Sequence, residues 1–138
     1  MGKSVVRVLV VDDFEQWRVA VRAMVEQMSG LQVVGEASDG EEAVQKTQEM
    51  QPDLVVLDIG LPTLNGIEVA RQISRISPKS KIVFLTENHC CDVAEEALNA
   101  GASAYVIKSY AGKELIPAIS AVLEKNARLS DNLTALTF

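Results

Sequence analysis

The most informative residues in this chain are polar side chains that follow short apolar runs. Runs rich in Val, Ile and Leu, separated by helix-length segments, are typical of buried parallel strands. The carboxyl ends of such strands meet at one edge of an open sheet, where ligands bind. We therefore expect three carboxylates, one hydroxyl and one ammonium to converge there: Asp12 and Asp13 after Val5–Val11, Asp58 after Leu54–Leu57, Thr86 after Ile82–Leu85, and Lys108 after Ala104–Ile107.

The three carboxylates predict a divalent cation. Two carboxylates about 4 Å apart repel by roughly 4 kcal/mol at an effective dielectric of ~20, so a cluster of them holds either protons or a cation. All-oxygen ligation with few protein ligands suits Mg²⁺, which keeps several waters and often adds a phosphate oxygen. Asp12, Asp13 and Asp58 are thus candidate Mg²⁺ ligands.

The same residues suit the transfer of a phosphoryl group. An aspartate carboxylate beside Mg²⁺ can attack a phosphoryl donor and become an acyl phosphate. Lys108 would offer a mobile positive charge, and Thr86 a hydroxyl donor, to the phosphoryl oxygens. The site lacks a dedicated second general base, so we expect transfer followed by slow hydrolysis instead of turnover. Each residue alone has an ordinary explanation, such as a helix cap or a loop lysine. Only the occurrence of all of them at the ends of strands of one sheet indicates a site for phosphoryl transfer.

Strand and helix patterns alternate five times along the chain. This alternation predicts an α/β fold with a doubly wound sheet and right-handed crossovers. With the second strand at an edge, we expect a flavodoxin-like five-stranded parallel sheet in the order 2-1-3-4-5. The predicted strands are Val5–Val11, Gln32–Ala37, Leu54–Asp58, Lys81–Thr86 and Ala104–Ile107.

The first and last helices carry further expectations. Pro117 interrupts the apolar pattern of the last helix, and Ala111 stands where a capping side chain would help. We expect that helix to bend at Lys113–Pro117 or to begin regular bonding only near Pro117. Trp17 and Met24 of the first helix are interpreted as core. The apolar residues that predict one face of the first helix are Phe14, Trp17, Val21, Met24 and Met28.

Composition limits the class of protein. At 138 residues there is room for one domain, which we place at residues 1–127, with a tail or the start of a linker at 128–138. A net charge of −6 and an aromatic fraction of 4% disfavour direct nucleic-acid binding. No apolar stretch approaches the ~20 residues of a membrane span, and no signal peptide is evident. We expect a soluble cytoplasmic protein.

Several short motifs, taken together and in order, resemble the receiver domain of bacterial two-component response regulators over roughly residues 5–125. The stretch Asp58–Pro62 and the pair Lys108-Ser109 are most similar to receivers of LuxR-type transcription regulators. Those regulators carry a helix-turn-helix domain after the receiver, and no such pattern follows in this sequence. The matching motifs are Val10-Val11-Asp12-Asp13, Leu57-Asp58-Ile59-Gly60-Leu61-Pro62 with Gly66, Leu85-Thr86, Ala100-Gly101-Ala102, and Tyr105-Val106-Ile107-Lys108.

The resemblance implies a role for each residue of the acidic cluster. It implies that Asp58 is phosphorylated by a sensor histidine kinase and that Lys108 contacts the phosphoryl group. It implies Mg²⁺ held by Asp13, by Asp58, by the Gly60 carbonyl and, through water, by Asp12. No catalytic residue beyond these is implied. The domain would therefore be regulatory and not an enzyme, apart from self-catalysed phosphoryl transfer and slow self-dephosphorylation.

The resemblance also implies a conformational switch. Thr86 and Tyr105 would form the switch pair, which responds to a phosphoryl group on Asp58. The surface that changes would be the face of the fourth helix, fifth strand and fifth helix. A partner protein or a second copy of the chain, forming a homodimer, would bind there.

Two other functions remain open. A pseudo-receiver, an interaction module that has lost phosphorylation, is weakly favoured by Glu87, which stands after Thr86 where a small residue is usual. We interpret Glu87 as pointing to solvent. An Asp-nucleophile, Mg²⁺-dependent phosphatase would place a second acid two residues after the nucleophile, where this chain has Gly60. Flavin binding is disfavoured because no hydroxyl-rich or glycine-rich phosphate loop follows the first strand.

Overall fold

A computed structural model describes residues 5–61, 64–87 and 91–127, with backbone only at residues 91–94 and 125–127. The tail placed at 128–138 lies outside the described residues. Strands and helices alternate along the described chain, as the sequence predicts. They are β1 Val6–Val11, α1 Glu15–Glu26, β2 Leu31–Ala37, α2 Gly40–Met50, β3 Leu54–Asp58, α3 Gly66–Ile76, β4 Lys81–Thr86, α4 Cys91–Asn99, β5 Ala104–Ile107 and α5 Ala111–Ala127.

The strands form one parallel sheet in the order β2-β1-β3-β4-β5, which confirms the predicted fold class. The register aligns the carboxyl ends of neighbouring strands. Val11 pairs with Leu57 across β1 and β3, and Asp58 pairs with Leu85 across β3 and β4. The residues that directly follow these strands therefore meet at one edge, which is what the predicted cluster requires.

Two apolar layers cover the sheet, because successive residues of a strand point to opposite faces. One layer contains Val56 of β3 and packs against α1 and α5. The other contains Val55 and packs against α2, α3 and α4. Every residue of β3 is buried, as expected for a central strand covered on both faces.

The apolar face of α1 differs from its predicted composition. Val21 and Val25 are its buried residues, while Trp17 and Met24 pack partly buried against the same core layer. The prediction that Phe14 shares the buried face is wrong. Phe14 occupies the position before the helix, where its backbone is extended, and 55% of the residue is exposed.

The helix α5 begins at Ala111, which corrects the expectation that regular bonding begins only near Pro117, while the alternative, a bend at Lys113–Pro117, stays a prediction. A 3₁₀ turn, Lys108–Tyr110, leads directly into the helix, and the Ala111 N–H bonds the Lys108 carbonyl. This turn satisfies an N–H that would otherwise need a capping side chain. Pro117 lies on the exposed side of α5, so the Lys113 carbonyl that it leaves without a helical donor can bond water.

Among the described residues, we find no helix with the length and apolar character needed to cross a membrane.

Candidate functional site

The three predicted carboxylates converge at the carboxyl edge of the sheet. One oxygen of each of Asp12, Asp13 and Asp58 can be chosen so that all lie within 4.8 Å of one another. Asp12 and Asp58 are buried, whereas Asp13 is exposed. Three oxygen ligands at this spacing, open to solvent on one side, fit a hard cation that keeps part of its water shell. The donor set therefore fits Mg²⁺.

Lys108 lies inside this cluster. Its Nζ is 2.8 Å from Asp12 Oδ2 and 3.6 Å from Asp58 Oδ2, and the residue is only 7% exposed. Within the described part of the chain, no well-oriented hydrogen bond reaches Asp12 Oδ2, so its contact with Lys108 is an ion pair held by charge. Lys108 is placed there because it opens the 3₁₀ turn that directly follows β5.

Burial raises the pKa of Asp58 above its ordinary value, and the negative charge of Asp12 raises it further. The Lys108 ammonium and the Gly60 N–H oppose this rise in part. The Asp58 carboxylate is thus a group whose negative charge the folded protein disfavours until another cation compensates it.

This shift predicts how stability depends on pH in metal-free buffer. As pH rises, Asp58 loses its proton in the unfolded chain first, so ionisation favours unfolding between its unfolded and folded pKa values. Asp58→Asn removes this effect. We expect the variant to be more stable than wild type at neutral pH and similar to it below the ordinary Asp range. Urea unfolding with a chelator across this pH range measures the difference. A stability difference that does not change with pH would contradict the assignment.

The β3–α3 loop holds the Asp58 carboxylate in place. The Gly60 N–H donates to Asp58 Oδ1 at 3.1 Å, and the Gly66 N–H donates to the Ile59 carbonyl at 2.8 Å. Asn65 caps α3 by accepting from the Glu68 N–H at 3.0 Å. Gly66 is required sterically, because a Cβ there would lie 2.6 Å from the Ile59 Cα and closer still to the Asp58 carbonyl oxygen.

Thr86 and Tyr105 lie on the same face of the sheet. Thr86 ends β4, is 2% exposed and lines the cleft above the acidic cluster. Tyr105 pairs with Phe84 in β5–β4 register, so it is a diagonal neighbour of Thr86. Its half-buried ring packs against the core layer on the α2, α3 and α4 side, away from the cleft lining.

The cleft has a volume of about 330 Å³ and contains every residue predicted to hold the metal or the phosphoryl group. Glu87 is exposed and is also one of the residues that line the cleft, so the direction of its carboxylate stays a prediction. The residues lining the cleft are Asp12, Asp13, Phe14, Trp17, Asp58, Ile59, Gly60, Thr86, Glu87 and Lys108.

Comparison with known protein families identifies the family that shares this arrangement. The profile of the response regulator receiver domain matches residues 8–120, which is most of the chain. The chain belongs to the response regulator receiver domain family. Receiver domains are regulatory domains, and this membership confirms the resemblance found in the sequence motifs.

The receiver domain is similar over most of its length to curated response regulators. Response regulator GacA of Pseudomonas viridiflava is 35% identical over 128 residues, which cover 93% of this chain and 60% of GacA. Chemotaxis protein CheY of Thermotoga maritima is 35% identical over 122 residues, which cover 88% of this chain and 98% of CheY. The chain thus spans less than two thirds of GacA and nearly all of CheY.

Solved structures place the receiver domain in the same fold. A two-component response regulator of the LuxR family from Aurantimonas sp. SI85-9A1 superposes with a TM-score of 0.83 at 39% identity, covering 88% of this chain and 86% of that one. A CheY-like receiver from Methanospirillum hungatei JF-1 gives a TM-score of 0.82 at 26% identity, covering 91% and 98%. The predicted likeness to LuxR-type receivers is confirmed.

Two side chains near the receiver's cluster were missed as site residues. Arg18 donates to the Asp12 carbonyl at 2.8 Å and to Glu36 Oε1 at 3.1 Å, which ties the β1–α1 loop to the edge strand β2. Trp17 lines the cleft, and its ring centroid lies 4.8 Å from Lys108 Nζ. The sequence signal for both was their position one helical turn after Asp12-Asp13.

Proposed function

We propose that this chain is a phosphorylation-controlled signalling switch, in which Asp58 accepts a phosphoryl group from a sensor histidine kinase with Mg²⁺ as cofactor. One observation carries the proposal. A buried ammonium, Lys108 Nζ, lies 3.6 Å from Asp58 Oδ2 at the open edge of the sheet, beside two further carboxylates. This is where positive charge is needed if phosphoryl oxygens are to sit next to an aspartate nucleophile. The kinase would act on the chain in the cytoplasm.

In this mechanism, an Asp58 oxygen attacks phosphorus while the bond from phosphorus to the kinase imidazole nitrogen breaks. Charge then develops on the phosphoryl oxygens, and catalysis consists mainly of positioning and electrostatic stabilisation. The Lys108 ammonium and the Thr86 hydroxyl, which both line the cleft, would stabilise those oxygens. Gly60 supplies no acid two residues after Asp58, which supports slow loss of the phosphoryl group instead of phosphatase turnover.

The residues that would hold Mg²⁺ are Asp13 and Asp58 directly, the Gly60 carbonyl, and Asp12 through water. Bound there, the cation would neutralise charge on the carboxylates and on the incoming phosphoryl oxygens. The few protein oxygens predict weak binding that strengthens when a phosphoryl oxygen completes the ligand set.

The proposed function is tested with acetyl phosphate as a small-molecule donor. The intact mass of the protein after incubation with acetyl phosphate and Mg²⁺ should rise by one phosphoryl group, and a chelator should prevent the rise. Continuous release of phosphate with no stable mass gain would indicate a phosphatase. No mass gain from either acetyl phosphate or a phosphorylated histidine kinase would indicate a pseudo-receiver.

Asp13→Ala should weaken Mg²⁺ binding at least ~10-fold. Substituting a residue that only hydrogen-bonds a metal ligand already costs about that much, and this variant removes a ligand itself. Trp17 is the chain's single tryptophan and lines the cleft, so its fluorescence should report Mg²⁺ titration in the wild type. Glu15→Ala is the matched control, since Glu15 is an exposed acid outside the cleft lining. An Asp13→Ala titration that matches wild type would count against this metal site.

We further propose that phosphorylation acts by moving Thr86 and Tyr105 together. A phosphoryl group on Asp58 would draw the Thr86 hydroxyl toward it through a charge-assisted hydrogen bond. The Tyr105 ring, diagonal to Thr86 on the same face of the sheet, would then occupy the space that Thr86 leaves. The changed surface would be the α4, β5 and α5 face, where a partner or a second copy would bind. The shift in population between the two arrangements is graded, because the phosphoryl group can change their equilibrium only by its differential affinity for them.

Thr86→Ala should leave Asp58 able to accept a phosphoryl group but remove the change in association. Sedimentation with and without beryllofluoride measures the effect in wild type and variant. Thr47→Ala is a matched control, because Thr47 is an equally buried threonine on α2, outside the cleft. Equal responses of wild type and Thr86→Ala would show that the coupling runs through other residues.

A further inference from the structure

The Lys108 ammonium has an aromatic neighbour as well as its two carboxylates. It lies over the Trp17 ring, 4.8 Å from the ring centroid, and 2.8 Å from Asp12 Oδ2. At this distance the negative face of an indole ring attracts a cation, more strongly where water is excluded. Lys108 is 7% exposed, so the attraction acts on a largely dehydrated ammonium.

The position of the Trp17 ring is expected to determine the position of the Lys108 ammonium, and not the reverse. It sits in the first turn of α1 and packs partly buried against the core layer beneath that helix. Lysine, in contrast, carries its charge on a flexible four-carbon stem. The ring is therefore the more constrained of the two partners, and its face forms the surface that the ammonium contacts.

A bound divalent cation would compete with Lys108 for the carboxylates but not for the Trp17 ring. Asp12 and Asp58 are the residues that would share their charge with a bound divalent cation, and Asp58 is also the proposed nucleophile. Both would then attract Lys108 less strongly. The Trp17 face carries no ligand atom for Mg²⁺, so its attraction for the ammonium persists when the carboxylates are engaged.

We propose that Trp17 is a positioning residue that holds the Lys108 ammonium in the cleft, at the place where the oxygens of an incoming phosphoryl donor must bind. This inference rests on the proposed function and goes beyond it. An apolar side chain could fill the same contact with the core, but only an aromatic face also attracts the cation.

The contact itself is tested by NMR, without any phosphoryl donor or metal. The ring current of Trp17 should shift the ε-methylene protons of Lys108 upfield in the wild type. The shift should vanish in Trp17→Leu, persist in weaker form in Trp17→Phe, and remain in Phe14→Leu, which changes another aromatic residue of the cleft. Lys108 ε-methylene protons at their ordinary position in the wild type would overturn the contact.

The positioning role is tested by the rate at which acetyl phosphate and Mg²⁺ label Asp58. Trp17→Leu should lower this rate about fivefold, which corresponds to ~1 kcal/mol, and Trp17→Phe should restore most of it. If wild type is labelled and Trp17→Leu is labelled equally fast, the positioning role is wrong while the proposed function stands. If wild type is not labelled by any donor, the proposed function fails and the positioning role with it.

Discussion

Asp58→Asn is expected to abolish phosphoryl transfer to this chain. The amide is almost the same size as the carboxylate but lacks the anionic oxygen that attacks phosphorus. Asp58 is also the carboxylate at the end of the central strand, with Lys108 Nζ 3.6 Å away. Incubation with acetyl phosphate and Mg²⁺ should therefore add a phosphoryl mass to wild type and none to the variant.

Asp53→Asn is the matched control for this experiment, because Asp53 directly precedes the opposite end of the same strand. Its carboxylate accepts from the Arg7 N–H at 2.9 Å and lies 3.6 Å from Lys79 Nζ, away from the cleft. This variant should be labelled like wild type. Stoichiometric labelling of Asp58→Asn would show that another residue is the phosphoacceptor.

Gly66→Ala is expected to destabilise the fold by about 3 kcal/mol, at the upper end of what overpacking costs. The added Cβ would meet main-chain atoms, the Asp58 carbonyl oxygen and the Ile59 Cα, which cannot move as a side chain could. The β3–α3 loop must therefore shift, and it carries the Gly60 N–H that bonds Asp58. Labelling by acetyl phosphate should fall along with stability, which urea unfolding measures.

Gly112→Ala offers a direct comparison. Gly112 lies in the first turn of α5, where a Cβ would have no neighbour within 4 Å. Alanine there should raise stability by roughly 0.5–1 kcal/mol, because it reduces the backbone entropy lost on folding. If the two variants unfolded at the same urea concentration, the steric explanation for Gly66 would be wrong.

The sheet and the residues of the acidic cluster could be predicted from the sequence, because both follow from where the apolar strands begin and end. Buried parallel strands are short apolar runs, and the residue after each run must lie at one sheet edge whatever the details of packing. Asp12, Asp58, Thr86 and Lys108 were found in this way. The assignment of Asp58 as phosphoacceptor stays a prediction until it is labelled.

Helix-borne neighbours of the cluster were harder to predict. The 3.6-residue period placed Trp17 on the buried face of α1, but periodicity does not tell whether such a residue ends beneath the helix or beside the cleft. Arg18 reaches Asp12 and Glu36 through a long side chain whose target depends on the tertiary packing of α1 against β2. The late start of regular bonding in α5 was wrongly predicted because the exposure of Pro117 was not visible in the sequence pattern.

The burial of β3 on both faces has a mechanical consequence. Amide hydrogens in a strand with no exposed residue exchange with solvent only when much of the domain opens, so β3 should be among the slowest-exchanging segments. Asp58 is therefore anchored to a strand that is expected to open only together with much of the domain. When a group is added to Asp58, we therefore expect β3 to stay in place and the displacement to be taken up by the residues around the cleft that lie outside β3.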